Sequence, residues 1–251
     1  MPVNLDKIES QAPALLSLAK QATISIDKSG LNGTVAKVAL VLDYSGSMGN
    51  EYKNGSMQRL AEKVLALATQ LDDDGAIDFF VFDSSAAYLG EISLGDYKGS
   101  VDRLTRGRRM GTTNYAEAFL KVRDHFGFGN TVEKKGLFGR TKTVPNPNSG
   151  PADAPVYALF LTDGVPDNKA AAVKALTEVA ATPIFWKFLS IGRESIEFLQ
   201  KLDDLDDRFV DNADYKPVGN VDKVNDSELF DMLLDEYPGW LKEVRAKGLI
   251  K

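Results

Sequence analysis

Asp43, Ser45 and Ser47 stand at alternate positions directly after an uncharged aliphatic run, Val38-Ala39-Leu40-Val41-Leu42. Carboxylates, hydroxyls, carbonyls and water are the oxygens that hard divalent cations such as Mg²⁺ prefer. A loop capping a buried strand aims such side chains at one point, so Asp43-Tyr44-Ser45-Gly46-Ser47 is a candidate cation site. One loop of this kind is equally explained by a turn in which Asp and Ser satisfy the backbone. Two further segments add to it. Gly111-Thr112-Thr113-Asn114 opens a helical pattern and brings a hydroxyl to its start, and Leu161-Thr162-Asp163-Gly164 ends a second apolar run with a carboxylate.

Other chemistries for a strand ending in Asp lack their parts. A phosphoryl-transfer enzyme built this way needs a second acid two residues on to protonate the leaving group, and Ser45 stands there. A phosphate-binding loop of the form Gly-x4-Gly-Lys-Ser/Thr is missing. Gly-x-Ser-x-Gly with a histidine base is missing too, and the lone His125 reads as a surface or capping residue at a helix end. The chain is therefore expected not to be an enzyme, with a metal-dependent phosphoryl-transfer hydrolase as the alternative.

The elements that must hold these loops follow from the pattern of apolar residues. Residues 36–42, Ile77 to Phe82, Val156 to Leu161 and Ile184 to Ile191 read as buried strands. Helices are expected from Met57 to Leu71, near 96–105, near 115–126 and over 168–180. Alternation of short apolar strands with helices predicts an α/β fold, a doubly wound and mostly parallel sheet with helices on both faces. Ligands of such sheets bind outside the carboxyl ends of the strands, where Asp43 sits. Thr23-Ile24-Ser25-Ile26 alternates like a strand and is expected to form an antiparallel edge, while Ala87 to Ile92 returns beside the strand before it. Trp186 and Trp240 read as core.

At 251 residues, 43% of them hydrophobic, the chain can bury a full core as a single domain. It has no cysteine, which excludes disulfides and thiolate chemistry. A net charge of −6 argues against nonspecific nucleic-acid binding. Asp6, Lys7 and Glu9 precede any apolar stretch, unlike a signal peptide, and no window suits a membrane span. A cytoplasmic protein is expected. Residues 1–34 read as a helix and edge-strand extension, 127–155 as a loop or hairpin insertion with Gly136 to Gly139 at its tip, and 205–251 as a helical extension broken at Pro238-Gly239. The acidic run Asp203 to Asp207 lacks the Gly and terminal Glu of a calcium loop and reads as a solvated helix end.

The three loops, in this order and strand context, resemble the von Willebrand factor type A family and its metal-ion-dependent adhesion site. The resemblance spans roughly residues 35–195. It implies that Asp43, Ser45, Ser47, Thr113 and Asp163 hold Mg²⁺ or Ca²⁺, with Thr112 as the other choice of threonine. Ser45, Ser47 and Thr113 would coordinate directly, and Asp43 and Asp163 would act mainly through waters or through the hydroxyls. A partner's acidic side chain would then complete the ion's shell. Leu42 to Met48, Phe82-Asp83 and Tyr237-Pro238-Gly239-Trp240 are similar to the bacterial tellurium-resistance-associated type A proteins, which belong to a stress-response neighbourhood with calcium-binding partners. Arg106, Arg108 and Arg109 lie beside the Thr113 loop and could steer such a partner, or merely be solvated at a helix end. A module acting through the 127–155 insertion is the third reading.

Overall fold

Strand β1 (Lys37–Asp43) is aliphatic on both sides because both of its faces are covered. Leu40 and Leu42 enter one core, Ala39 and Val41 the other. The computed structural model describes residues 3–72, 74–129, 131–135, 141–145, 150–192 and 195–251. β1 lies between β2 (Ala76–Phe82) and β6 (Val156–Thr162), parallel to both. β7 (Ile184–Ile191) and β8 (Ala213–Gly219) extend the parallel sheet on one side, and β3 (Ala86–Ser93) closes the other side antiparallel to β2. The order is β3-β2-β1-β6-β7-β8. The expected α/β class, doubly wound with an antiparallel edge, is the one observed.

One face is covered by α1 (Leu5–Gln11), α2 (Leu16–Lys28), α4 (Ser56–Leu71), α5 (Ser100–Thr105), α9 (Asp226–Leu234) and α10 (Tyr237–Ala246). The short α3 (Gly49–Lys53) follows the Asp43 loop on that side. The other face carries α6 (Tyr115–His125), α7 (Lys169–Val179) and α8 (Glu197–Asp203). Trp186 stacks its edge on Phe119 there at 4.8 Å between centroids, and Trp240 packs on Phe185 and Tyr237 across the sheet.

Three expectations about the ends of the chain are corrected. Residues 23–26 lie inside α2 and not in a strand. Ala19, Ala22 and Ile26 continue the three- and four-residue spacing of the preceding helix, and Ser25 Oγ donates to Asp231 of α9 at 2.5 Å, so tertiary packing overrides the β-branched alternation. β3 is the antiparallel edge. Residues 205–251 are not wholly helical, because β8 adds a strand to the main sheet. The helix break falls at Asp235-Glu236; Pro238 sits in the first turn of α10, where its missing N–H costs nothing.

In the 127–155 segment, β4 (Thr131–Lys135) pairs antiparallel with β5 (Thr141–Pro145) as a separate two-stranded sheet. The tip, Gly136 to Gly139, lies outside the described residues.

Candidate metal centre

β1 ends at Asp43 and β6 at Thr162, in parallel register that sets Leu42 beside Leu161. Their next residues therefore open at the same sheet edge. Ser45 begins a single tight helical turn, Gly46–Met48, which turns the chain back over that edge. Asp43 is fully buried and its carboxylate is held at both oxygens. The Ser45 N–H donates to Oδ1 at 2.8 Å and the Thr162 hydroxyl donates to Oδ2 at 2.6 Å. Tyr52 Oη donates to the Asp43 carbonyl at 2.9 Å, tying α3 beneath the loop.

From this anchor a line of oxygens runs outward. Ser45 Oγ and Ser47 Oγ are 3.1 Å apart, and Ser47 Oγ donates to Asp163 Oδ1 at 2.8 Å. The structure thus brings Asp43, Ser45, Ser47 and Asp163 into one connected cluster. Ser47 and the far side of Asp163 face solvent, while Ser45 is buried.

The threonine loop is bound into the same edge by its backbone. Gly111 forms a parallel bridge with Ser45: its N–H donates to the Tyr44 carbonyl at 3.3 Å, and the Gly46 N–H donates to the Gly111 carbonyl at 3.2 Å. A Cβ at Gly111 would meet Ser84 Oγ at 2.8 Å and Asp83 Cβ at 3.1 Å, so only glycine allows this approach. Asn114 then caps α6 through its side chain. Thr112 Oγ1 lies 3.1 Å from Ser84 Oγ, and is thereby drawn toward the β2 end. Thr113 donates its N–H to Asp167 Oδ2 at 3.1 Å and accepts the Asp167 N–H at its carbonyl at 2.9 Å, contacts that bring it toward the loop that carries Asp163. Its hydroxyl makes no hydrogen bond to a described residue, unlike that of Thr112.

Burial pushes the Asp43 carboxyl up to about 6 against the hydrogen bonds from Thr162 and Ser45, which pull it down, and the neighbouring Asp163 adds to the rise. No basic side chain of the described residues pairs with Asp43 or Asp163. Arg108 is half-buried on Asp83 at 3.2 Å and braces the end of β2, whereas Arg106 and Arg109 are exposed. His125 bonds Asp78 at 3.0 Å, at the opposite end of β2 from the cluster.

Thr162 and Tyr115 belong to the cluster although the sequence offered little sign of it. Tyr115 Oη donates to the Gly164 carbonyl and approaches Thr162 Oγ1 at 3.3 Å, so the first turn of α6 holds the Asp163 loop in place. Thr162 reads as the last residue of an apolar strand; only the register with β1 reveals its partner.

Three other carboxylates, Asp203, Asp214 and Glu236, bring one oxygen each within 4.8 Å of one another on the β8 side of the sheet. Lys187 and Lys216 both pair with Asp214 there, so positive charge is already supplied. Two carboxylates, two or three hydroxyls and no cation make the Asp43 cluster the better fit to a hard divalent ion.

The fold has counterparts. The sequence matches the vWA-TerF-like family, described as the vWA found in the TerF C terminus, over residues 35–138 and 140–250. The chain belongs to that family. This vWA domain is 35% identical over 235 residues to the uncharacterized protein YcbR of Bacillus subtilis (strain 168), covering 92% of the chain and 88% of YcbR. Among solved structures it resembles a von Willebrand factor type A protein from Catenulispora acidiphila (TM-score 0.54, 14% identity, 82% of this chain, 43% of that one). It also resembles proximal thread matrix protein 1 of the mussel byssus (TM-score 0.52, 13% identity, 82% and 49%). The chain spans less than half the length of these two structures. At such identities the likeness is one of fold, and function has to be argued from the cluster itself.

Proposed function

We propose that this vWA domain is a non-enzymatic protein-interaction module whose docking point is a divalent cation, Mg²⁺ or Ca²⁺. Asp43, Ser45, Ser47, Thr113 and Asp163 would hold the ion. The observation that carries the reading is a fully buried carboxylate with no cationic partner among the described residues, joined through Ser45 and Ser47 to a second, half-buried carboxylate. The hydroxyls of Ser45, Ser47 and Thr113 would be the direct ligands. Asp43 and Asp163 orient those hydroxyls and balance the charge, and Thr162 and the Ser45 N–H orient Asp43. When bound, the ion supplies a Lewis-acidic point at which a partner's carboxylate can complete the shell.

Catalysis is poorly served by the same arrangement. An Asp43 nucleophile would need a free, exposed oxygen, and both oxygens accept hydrogen bonds within the core. The one histidine is committed to Asp78 at the far end of β2. Arg106 and Arg109 add positive charge beside the cluster that would speed the arrival of an acidic partner. The family's description by TerF and the similarity to tellurium-resistance-associated proteins support a role in a bacterial tellurite or chemical stress response, in the cytoplasm. Among the described residues no helix is long and apolar enough to cross a membrane.

The test is thermal unfolding with Mg²⁺, Mn²⁺ or Ca²⁺. The ions should raise the melting temperature of the wild type and leave Asp43→Ala and the double variant Ser45→Ala, Ser47→Ala unmoved. Equal shifts in all three proteins would refute the assignment. Turnover of a simple phosphate ester that disappears in Asp43→Asn would overturn the non-enzymatic reading.

A further inference from the structure

A cavity of about 700 Å³ opens between the first turns of α7 and α8, at the same sheet edge as the oxygen cluster. Its floor is apolar: Ile196 and Phe198 are buried in the core beneath it, and Val173 forms the wall on α7. Val165 stands at its lip, 47% exposed. Lys169 lies over the Phe198 ring at 5.6 Å, and Lys201 faces it across the cavity, with Glu197 the one acid among the described lining residues. A lone exposed valine needs no explanation. A valine that joins a metal-type cluster to an apolar cavity of ligand size does.

We propose that this cavity receives a bulky apolar side chain of the partner segment whose carboxylate docks at the Asp43 cluster; the proposal rests on the interaction-module reading. Two observations select that occupant. The first is continuity. Val165 follows Asp163 by two residues, a span of at most about 7 Å of extended chain. A carboxylate at the cluster and an apolar group in the cavity therefore belong to side chains one to three residues apart in one peptide. The second is charge. Lys169 and Lys201 at the cavity, with Arg106 and Arg109 beside the threonine loop, frame the edge with cations and favour an acidic segment. The recognised element is then an Asp or Glu followed or preceded closely by Leu, Ile, Met or Phe in an otherwise acidic stretch.

The probes are acetylated, amidated hexapeptides of Ser carrying one Glu and one Leu at spacings of one, two and three, titrated calorimetrically into the full chain in saturating Mg²⁺. Controls replace Leu by Ser, or Glu by Gln. At the best spacing the Glu–Leu peptide should bind about tenfold tighter than its Leu-to-Ser control, the worth of burying one such side chain. Ala170→Trp, which fills the cavity from the exposed side of α7, should abolish that advantage while keeping the Mg²⁺-induced rise in melting temperature. Lys201→Glu, on α8 and outside the ion loops, should weaken the Glu–Leu peptide severalfold and leave metal binding intact. Glu-dependent binding that gains nothing from Leu at any spacing, or a gain that survives Ala170→Trp, would overturn the cavity assignment and leave the docking reading standing. Absence of any Mg²⁺ effect on the wild type would remove the foundation of both.

Discussion

Asp43 and Asp214 are both fully enclosed by the same sheet, the first at the carboxyl end of β1 and the second near the amino end of β8. Around Asp214 the chain supplies its own cations. Lys187 of β7, equally buried, pairs with one oxygen, and Lys216 approaches the other at 3.3 Å. Around Asp43 the described residues supply only hydrogen-bond donors, the Ser45 N–H and the Thr162 hydroxyl. Burying a charge is costly unless it is paired. The β8 side meets that requirement within the fold, whereas at the β1 end we propose that a bound cation meets it. A charge left unbalanced at an exposed sheet edge, beside two hydroxyls, is what distinguishes a binding centre from a structural ion pair.

The contrast is broken most strongly at the self-sufficient pair. Lys187→Met strands a buried carboxylate with only the half-exposed Lys216 beside it, and should destabilise the protein by about 3–5 kcal/mol in urea unfolding. Divalent ions should not restore that loss. A Lys187→Met protein as stable as the wild type would mean that the pair is not the source of balance at Asp214.

Asp43→Asn should have the opposite sign in metal-free protein. The folded carboxyl is raised to about 6 from 3.8, so its contribution favours folding below about pH 4 and is lost as pH rises through 6. At neutral pH the ionised group therefore costs up to about 3 kcal/mol. Asparagine keeps the acceptor for the Ser45 N–H, while the Thr162 hydroxyl can turn to the Gly164 carbonyl at 3.2 Å. Urea unfolding of metal-free protein should show Asp43→Asn as stable as the wild type near pH 4 and more stable at pH 7. A divalent cation should invert the order at pH 7. A large loss of stability in metal-free Asp43→Asn would contradict the idea of an uncompensated charge.

Thr162→Val is a subtler probe, since it removes one donor and keeps the shape. Stability should fall by about 1 kcal/mol, and metal affinity by roughly 10–100-fold, the usual effect of losing a group that orients a ligand. Affinity unchanged in calorimetry would release Thr162 from that role. The smallest effects are expected at the surface. Arg106→Glu with Arg109→Glu should change stability by less than about 0.5 kcal/mol. Arg108→Glu should cost more, because it leaves the buried Asp83 facing a like charge.

How these features could be read from the chain varies with their range. β1, β2, β6 and β7 are near-continuous apolar runs, and α4, α6 and α7 have clear helical spacing, so the frame of the fold was legible locally. Asp43, Ser45, Ser47 and Asp163 were legible because each follows directly on such a strand. Thr162, Tyr115 and Gly111 were not, since their parts depend on which strands are neighbours and in what register. β8 was missed because Ala213 to Gly219 alternates polar with apolar and carries Asp214, whose charge makes sense only beside Lys187. Residues 23–26 misled for the converse reason. A strand-like local pattern there yields to the helix face that packs on α4 and α9.

The most direct test of the central claim is anomalous diffraction from crystals grown with Mn²⁺. One ion is expected, bounded by Ser45 Oγ, Ser47 Oγ and the Thr113 hydroxyl, with Asp43 and Asp163 behind them, and no such peak in the Ser45→Ala, Ser47→Ala double variant. An ion seated instead among Asp203, Asp214 and Glu236, or no ordered ion at the Asp43 cluster at saturating Mn²⁺, would contradict it.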